Sequence, residues 1–356
     1  MDESQFPLIF DGHNDVLLRI HMSNDEDALD KFLNGERGGH LDLPRMKKGG
    51  FGGGFFAIYV PSMQDNALRY EEMNNPPYDL AMPPEIPMDK ALPHFFSMAA
   101  ILARIERQSG GAAKICRSAQ DVRDCIRYGS IAMIMHIEGA EAIDEDFNSL
   151  EIFYNAGLRS IGPVWSRTTR FGHGVPFRYP GSPDTGPGLT DSGKELIRQC
   201  NFFKMVIDLS HLNEVGFWDV ASISDAPLIA THSNAHEICP HSRNLTNKQL
   251  AAIRESGGMV GVNFATAFIR PDGKMRSDTS IDEMLRHMDH LIEHVGIDGV
   301  GFGSDFDGAM IPEEIKDVTG LTSLRQAMRK RGYDKETMTK LCHGNWIRVM
   351  EKTFGE

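Results

Sequence analysis

Residues 7–15 read PLIFDGHND: a short β-rich run, 7–10, followed by a histidine and an aspartate two positions apart, His13 and Asp15. In extended backbone, side chains two apart point the same way, so both can face one ion. Taken alone the pair is a weak signal, because such residues beside a strand are commonly hydrogen-bonded loop groups. Repetition gives it weight. β-rich runs recur at 54–60 (GFFAIYV), 131–135 (IAMIM), 158–164 (LRSIGPV), 204–209 (KMVIDL), 227–231 (PLIAT), 258–264 (GMVGVNF) and 299–303 (GVGFG), eight in all.

Between these runs, stretches such as 97–108, 191–201, 246–255 and 281–295 carry apolar residues at helical spacing. Repeated βα units with eight strands specify an α/β fold, the (β/α)8 TIM barrel. Two further helices, near 321–330 and 335–352, are expected to close the C-terminus. A doubly wound open sheet competes with this reading, but no Gly-rich phosphate loop follows the first strand. The 356 residues suit one domain spanning 1–356. Residues 64–90, rich in Pro, Met and Asn, read as a loop insertion after strand 2. They would emerge on the C-terminal face, as a substrate lid or as decoration without a role. The same two readings apply to the Gly-rich segment 167–190 after strand 4.

With 41% hydrophobic and 24% charged residues, the chain has the composition of a folded globular protein. Its 37 basic and 50 acidic residues give a net charge of −13 with no basic run, which disfavours nucleic acid as a partner. Five scattered cysteines (Cys116, Cys125, Cys200, Cys239, Cys342) without CxxC spacing argue against a disulfide framework and a thiolate zinc site, and fit a reducing compartment. The N-terminal MDESQFPLIF lacks the pattern of a signal peptide, and no segment approaches the roughly 20 apolar residues of a membrane span. The C-terminal RVMEKTFGE lacks the tail that precedes a lipid anchor. The expectation is a cytoplasmic protein with neither membrane nor nucleic acid as partner.

Metal-ligating residue types close four more strands: Glu138 in MHIEG, His211 in DLSH, His232 in ATHSN and Asp305 in GSDFDG. Each alone could be a satisfied buried polar group. In a barrel, however, the ends of strands 1, 3, 5, 6 and 8 converge, and six unpaired ionisable groups there carry a heavy desolvation cost without a cation. Three histidines and three carboxylates suit Zn2+, and the same donors tolerate manganese, iron or cobalt. Their number favours two ions with a bridging carboxylate. Two metals about 3.5–4 Å apart can deprotonate a bridging water and polarise a scissile carbonyl, so hydrolysis by a metal-bridging hydroxide is the natural chemistry. Asp305 is placed to move the proton to the leaving group, with Asp307 as the competing carboxylate.

The segments DGHND, HLDLPRMKKGGFGGGFFAIYV, HIEGA, IDLSH, THSNAH, HSRN, VGFGSDFDG and GNWIRVM, in this order over 13–350, resemble the membrane (renal) dipeptidase family. These are zinc dipeptidases of peptidase family M19, among the amidohydrolase-like metal-dependent hydrolases. The resemblance implies two Zn2+ per chain, with His13 and Asp15 on one, His211 and His232 on the other, and Glu138 bridging. It selects Asp305 over Asp307 as the proton shuttle and assigns Arg243 to the substrate's terminal carboxylate, which a guanidinium fork suits. Asn14 and Asn244 are implied as supporting residues, Asn244 on the substrate side. Many related barrels instead bridge their metals with a carboxylated lysine at the end of strand 4, where this chain has Pro163, Val164 and Trp165.

One feature of the family is missing. Renal-type enzymes place an oxyanion-stabilising histidine after strand 4, where this chain aligns Trp165 in VWSRTTRFGHG. His173, Arg167 or Arg170 are candidate replacements, and each is equally readable as a solvated loop residue. The difference points to an altered substrate preference, for example for dipeptides with a D-residue at the C-terminal position. Family members often dimerise, so a homodimer is implied, although no segment marks an interface. A binuclear zinc dipeptidase is therefore the leading reading. Its competitors are a metal-dependent lactonase or deaminase on the same barrel, and a non-catalytic barrel that keeps its metals, against which the retained Asp305 speaks.

Overall fold

The structure, a computed structural model, describes residues 6–36, 38–62 and 71–355. Eight parallel strands form the barrel: β1 (Ile9–Asn14), β2 (Phe51–Tyr59), β3 (Ile131–Glu138), β4 (Leu158–Gly162), β5 (Val206–Ile207), β6 (Ile229–Ser233), β7 (Met259–Asn263) and β8 (Val300–Gly303). Their neighbour order is β5-β4-β3-β2-β1-β8-β7-β6. A parallel bridge between Asp208 and Ile229, with Leu209 N donating to Ile229 O at 2.9 Å, brings β5 back to β6. All eight expected strands are present. A short edge strand, Ala113–Ile115, pairs with the start of β3.

Helices Asp191–Phe203, Asn247–Glu255, Ile281–Val295 and Leu321–Lys330 stand where the periodicity places them. Their starts have local causes: Thr190 caps through Gly193 N, and Thr246 with Gln249 forms a reciprocal capping box. Two expectations need correction. The helix expected at 97–108 begins at Met88, with Pro93 inside it, and so takes the end of the predicted 64–90 loop. The helix expected at 335–352 is divided into Lys335–Thr339 and Asn345–Phe354 by a wide turn, Lys340–Gly344. That turn lets His343 Nδ1 approach Leu8 O at 2.8 Å, and the following turn carries Trp346 into the barrel's lower end.

Residue alternation along β3 shows how the interior changes with height. Ile134 belongs to an apolar cluster with Phe10, Phe55, Val206, Ile229, Met259 and Trp346, and the next two positions of the same parity are His136 and Glu138. The barrel is thus apolar below and ionisable at its C-terminal rim.

The described part of the 64–90 segment (64–70 lies outside the described residues) is tied to the loops after β4 and β7. Tyr78–Asp79 pairs antiparallel with Arg178–Tyr179, Tyr78 Oη donates to Gly273 O at 2.7 Å, and Met275 N donates to Met73 O at 3.0 Å. Met73, Tyr78, Leu80, Ala265, Ala267 and Phe268 form a second apolar cluster beside the rim.

Candidate metal centre and substrate cavity

The rim brings together all five expected ligands, each from the end of its strand. Glu138 Oε1 lies 2.9 Å from His211 Nε2, 3.5 Å from His232 Nε2 and 3.6 Å from His13 Nε2, and His13 Nε2 is 3.4 Å from Asp15 Oδ2. Two ligand sets result, His13–Asp15–Glu138 and Glu138–His211–His232, fused at Glu138 and buried throughout. Among the described residues neither ring nitrogen of the fully buried His13 makes a hydrogen bond of ordinary geometry. Such an imidazole fits metal ligation, because otherwise two polar atoms would be buried at a net cost.

Electrostatics lead to the same conclusion. Burial, reinforced by Asp15 and Asp305, pushes Glu138 well above the ordinary carboxylate range, against the opposing pull of His13. Burial works against a charge on His13 too, but Glu138, Asp15 and Asp305 outweigh it and hold the imidazole up at about 10. The cluster demands positive charge, and a divalent cation supplies more of it than one proton.

Hydrogen bonds orient the histidines of the cluster. His211 Nδ1 meets Ser166 Oγ at 2.9 Å and His232 Nδ1 meets Thr231 Oγ1 at 2.8 Å, which leaves both Nε2 atoms facing Glu138. Asp208 is close enough to His13 and His232 to suggest a third ligand set. It already accepts from Ser210 N, Ser210 Oγ, Thr231 N and Thr231 Oγ1 at 2.6–3.0 Å, so its lone pairs are engaged in holding Thr231. Ser166, Thr231 and Asp208 carry no signal of their own in the sequence.

The two carboxylates after β8 diverge. Asp305 is held at φ 59°, accepts from Asn263 Nδ2 at 2.9 Å, and lines the cavity; burial raises its pKa. Asp307 is engaged by Arg19 Nε at 3.0 Å and His40 N at 2.5 Å, which fixes the loop. Gly308 fits between Asp15 and Asp305: a Cβ there would lie 2.1 Å from Asp15 Oδ2 and 2.7 Å from Asp305 Oδ1.

A cavity of about 660 Å³ opens over Glu138, Asp15, His211 and Asp305. Its wall is largely apolar, with Met22, Met73, Met275, Met310, Phe177 and Phe268. Trp165 lines it too, its ring 5.0 Å from that of Tyr59 and 5.8 Å from that of His211. Tyr59 sits beside Glu138 in β2–β3 register, and burial pushes its phenol up to about 12.

Arg243 is buried behind His211, not on the cavity wall. Its guanidinium donates to Ser210 O and to His232 O (3.2 Å), lies 3.3 Å from His211 Nε2, and leaves Nε without a partner. Among the described residues no carboxylate is within ion-pair distance, and burial lowers Arg243 to about 10. Asn244 is not on the wall either: its amide donates to Cys239 O at 2.9 Å and Phe268 O at 2.8 Å, shaping the loop that carries Arg243. Asn14 similarly ties β1 to Phe55 O at 3.1 Å. The replacements considered for the missing histidine stay away from the cavity. His173 is half-buried with Nδ1 3.3 Å from Thr168 Oγ1, Arg170 is exposed and 3.9 Å from Glu145, and Arg167 is wholly engaged with Glu141, Ser62 and Val60.

Eight parallel strands with two fused, buried sets of His and carboxylate at their C-terminal ends define a metal-dependent hydrolase barrel. The chain belongs to the membrane dipeptidase family, peptidase family M19, whose model matches residues 3–354. It is 56% identical to a metallo peptidase from Rhodobacter sphaeroides solved with a phosphinate mimic of the dipeptide L-Ala-D-Ala, with a TM-score of 0.96 over 98% of this chain and 99% of that one. A second solved structure, the dipeptidase AC, a metallo peptidase of family M19, is 55% identical, with a TM-score of 0.93 over 99% and 100% of the two chains. The dipeptidase tcpJ of Claviceps purpurea is 26% identical over 351 residues, 96% of this chain and 76% of that protein. The protein is thus a metallo-dipeptidase, a hydrolase acting on peptide bonds. Among the described residues no helix is long and apolar enough to cross a membrane.

Proposed function

We propose that the chain is a binuclear zinc dipeptidase, with His13 and Asp15 holding one ion, His211 and His232 the other, and Glu138 bridging. The observation that carries this reading is the single oxygen, Glu138 Oε1, lying within 3.6 Å of the Nε2 atoms of all three histidines. When bound, two zinc ions supply a nucleophile at neutral pH and polarise the scissile carbonyl. Asp305 takes a proton from the attacking water and delivers it to the leaving amine, a role supported by its raised pKa and its place on the cavity wall. Arg243, buried without a carboxylate partner, is the group for the substrate's terminal carboxylate, which it would reach past His211.

A preference for a D-residue at the C-terminal position is supported by the dipeptide mimic held by the Rhodobacter sphaeroides enzyme. The test pairs elemental analysis of the purified protein with a ninhydrin assay over L-L and L-D dipeptides, for wild type and Asp305→Asn. Two zinc per chain, faster cleavage of L-D substrates, and a loss in kcat of about 10²–10⁴-fold in the variant are expected. One metal per chain would remove the bridging role of Glu138, and two metals without dipeptide cleavage would overturn the substrate assignment.

A further inference from the structure

The resemblance to renal-type enzymes implies an oxyanion-stabilising histidine where this chain has Trp165, so another group of the cavity would donate to the oxygen that gains charge during amide hydrolysis. Among the described residues, eight with polar side-chain atoms besides Trp165 line the wall: Asp15, Tyr59, Ser62, Glu138, His211, Thr266, Asp305 and Asp307. The carboxylates accept rather than donate when ionised, and His211 is aimed at the metal centre. Thr266, whose Oγ1 is buried without a hydrogen-bond partner among the described residues, follows β7, across the barrel from the Glu138 strand β3, in the short helix Thr266–Ile269. Tyr59 and Ser62 remain, both beside the Glu138 strand.

Both are tied to Arg167. Ser62 Oγ accepts from Arg167 Nη1 at 2.9 Å and hydrogen-bonds the Tyr59 phenol oxygen, which Arg167 also contacts. Tyr59 lines the cavity in register with Glu138, with the Arg167 guanidinium 5.5 Å from its ring centre, so its phenol O–H is within the wall that a bound substrate would face. Arg167 is held in turn by Glu141, through Nε at 2.8 Å and Nη2 at 2.6 Å, in an ion pair with no exposed side-chain surface. A buried pair of this kind contributes little net stability, so orienting Tyr59 accounts for it better than holding the fold does.

We propose that Tyr59 donates its hydroxyl hydrogen bond to the scissile carbonyl oxygen as that oxygen becomes the oxyanion, the task left open by Trp165. The inference rests on the dipeptidase reading. As the water oxygen bonds to the carbonyl carbon, the C=O π pair moves onto oxygen, and Tyr59 stabilises that charge without transferring its proton. When the C–N bond breaks, the pair returns to re-form C=O, and the amine leaves with the proton carried by Asp305.

The test compares wild type with Tyr59→Phe at equal metal content. The expected result is a fall in kcat of about 10²–10³-fold with KM little changed. Affinity for a phosphinate dipeptide mimic should fall by a similar factor, while affinity for the dipeptide's product amino acids holds. Tyr59→Phe with full kcat and full phosphinate affinity, in a preparation whose wild type cleaves dipeptides, overturns the proposal; a wild type that cleaves none sinks the underlying reading instead. Trp165→Phe removes the neighbouring indole N–H, and a comparable fall in that variant with Tyr59→Phe intact would also overturn it. Where Tyr59→Phe loses metal, Ser62→Ala serves: freeing the phenol to rotate should lower kcat in the same direction by a smaller factor, and full kcat there counts against the proposal.

Discussion

The two ends of the barrel interior obey opposite rules. At the lower end Phe10, Phe55 and Trp346 pack together, and the one polar atom Trp346 brings, Nε1, donates to Phe302 O at 3.1 Å. At the rim, a few residues further along the same strands, both nitrogens of His13 are buried without a hydrogen bond of ordinary geometry among the described residues, as are Arg243 Nε and Thr266 Oγ1 nearby. Arg348 Nε, at the lower end, is unsatisfied as well, so it is the sets of His and carboxylate around His13, and not unsatisfied atoms alone, that mark the rim as the end that binds. The lower end supplies the stability against which this is set.

Substitutions at the two ends should therefore separate stability from activity. Glu138→Gln is expected to have the largest functional effect: metal content drops and dipeptide hydrolysis falls to background. Retained metal stoichiometry in this variant would break the contrast. Trp346→Ala is the opposite case. It should destabilise the protein by about 3–5 kcal/mol in chemical denaturation, with metal content and kcat per folded molecule unchanged. A fall in kcat without a fall in stability would show that the lower end is coupled to the rim.

The same contrast explains what could be read from the sequence. His13, Glu138, His211, His232 and Asp305 were legible because each closes a β-rich run, and barrel topology then forces the ends together. The supports were not. Ser166, Thr231 and Asp208 are ordinary polar residues whose value lies in which ligand they touch, and that depends on strand register. The tie between Tyr78–Asp79 and Arg178–Tyr179 was hidden for another reason: two residues on each side carry no periodicity. The short helices Val16–Met22 and Leu43–Gly49 also escaped the apolar pattern, although Asp42 capping Arg45 N with Pro44 in the first turn is a start signal for the second. Trp346 lay inside an expected helix, but nothing in the spacing announced the wide turn that seats it.

Between the two extremes lie the residues that orient the histidines of the cluster. Thr231→Val keeps the shape of the side chain and removes the hydroxyl that links Asp208 Oδ2, at 2.6 Å, to His232 Nδ1, at 2.8 Å. Metal affinity at the His211–His232 position should weaken by about 10–100-fold, measured by competition with a chelator, while the His13–Asp15 position holds. Equal weakening at both positions would mean that Thr231 supports the rim as a whole.

His173→Ala should have the smallest effect. Sequence reasoning placed this histidine among the candidates for the missing oxyanion donor, but the structure leaves it off the cavity wall with a marginal 3.3 Å contact to Thr168. The loop around it is held by backbone: Gly172 bridges Leu189, Gly174 bridges Leu212, and Val175 N donates to His211 O at 2.9 Å. Removing the imidazole leaves those bonds in place, so stability should change by no more than about 0.5 kcal/mol and kcat/KM by about twofold or less. A tenfold loss in kcat with unchanged metal content would show that the loop carries His173 to the substrate during turnover. It would also make His173, and not Tyr59, the first residue to examine for the oxyanion role.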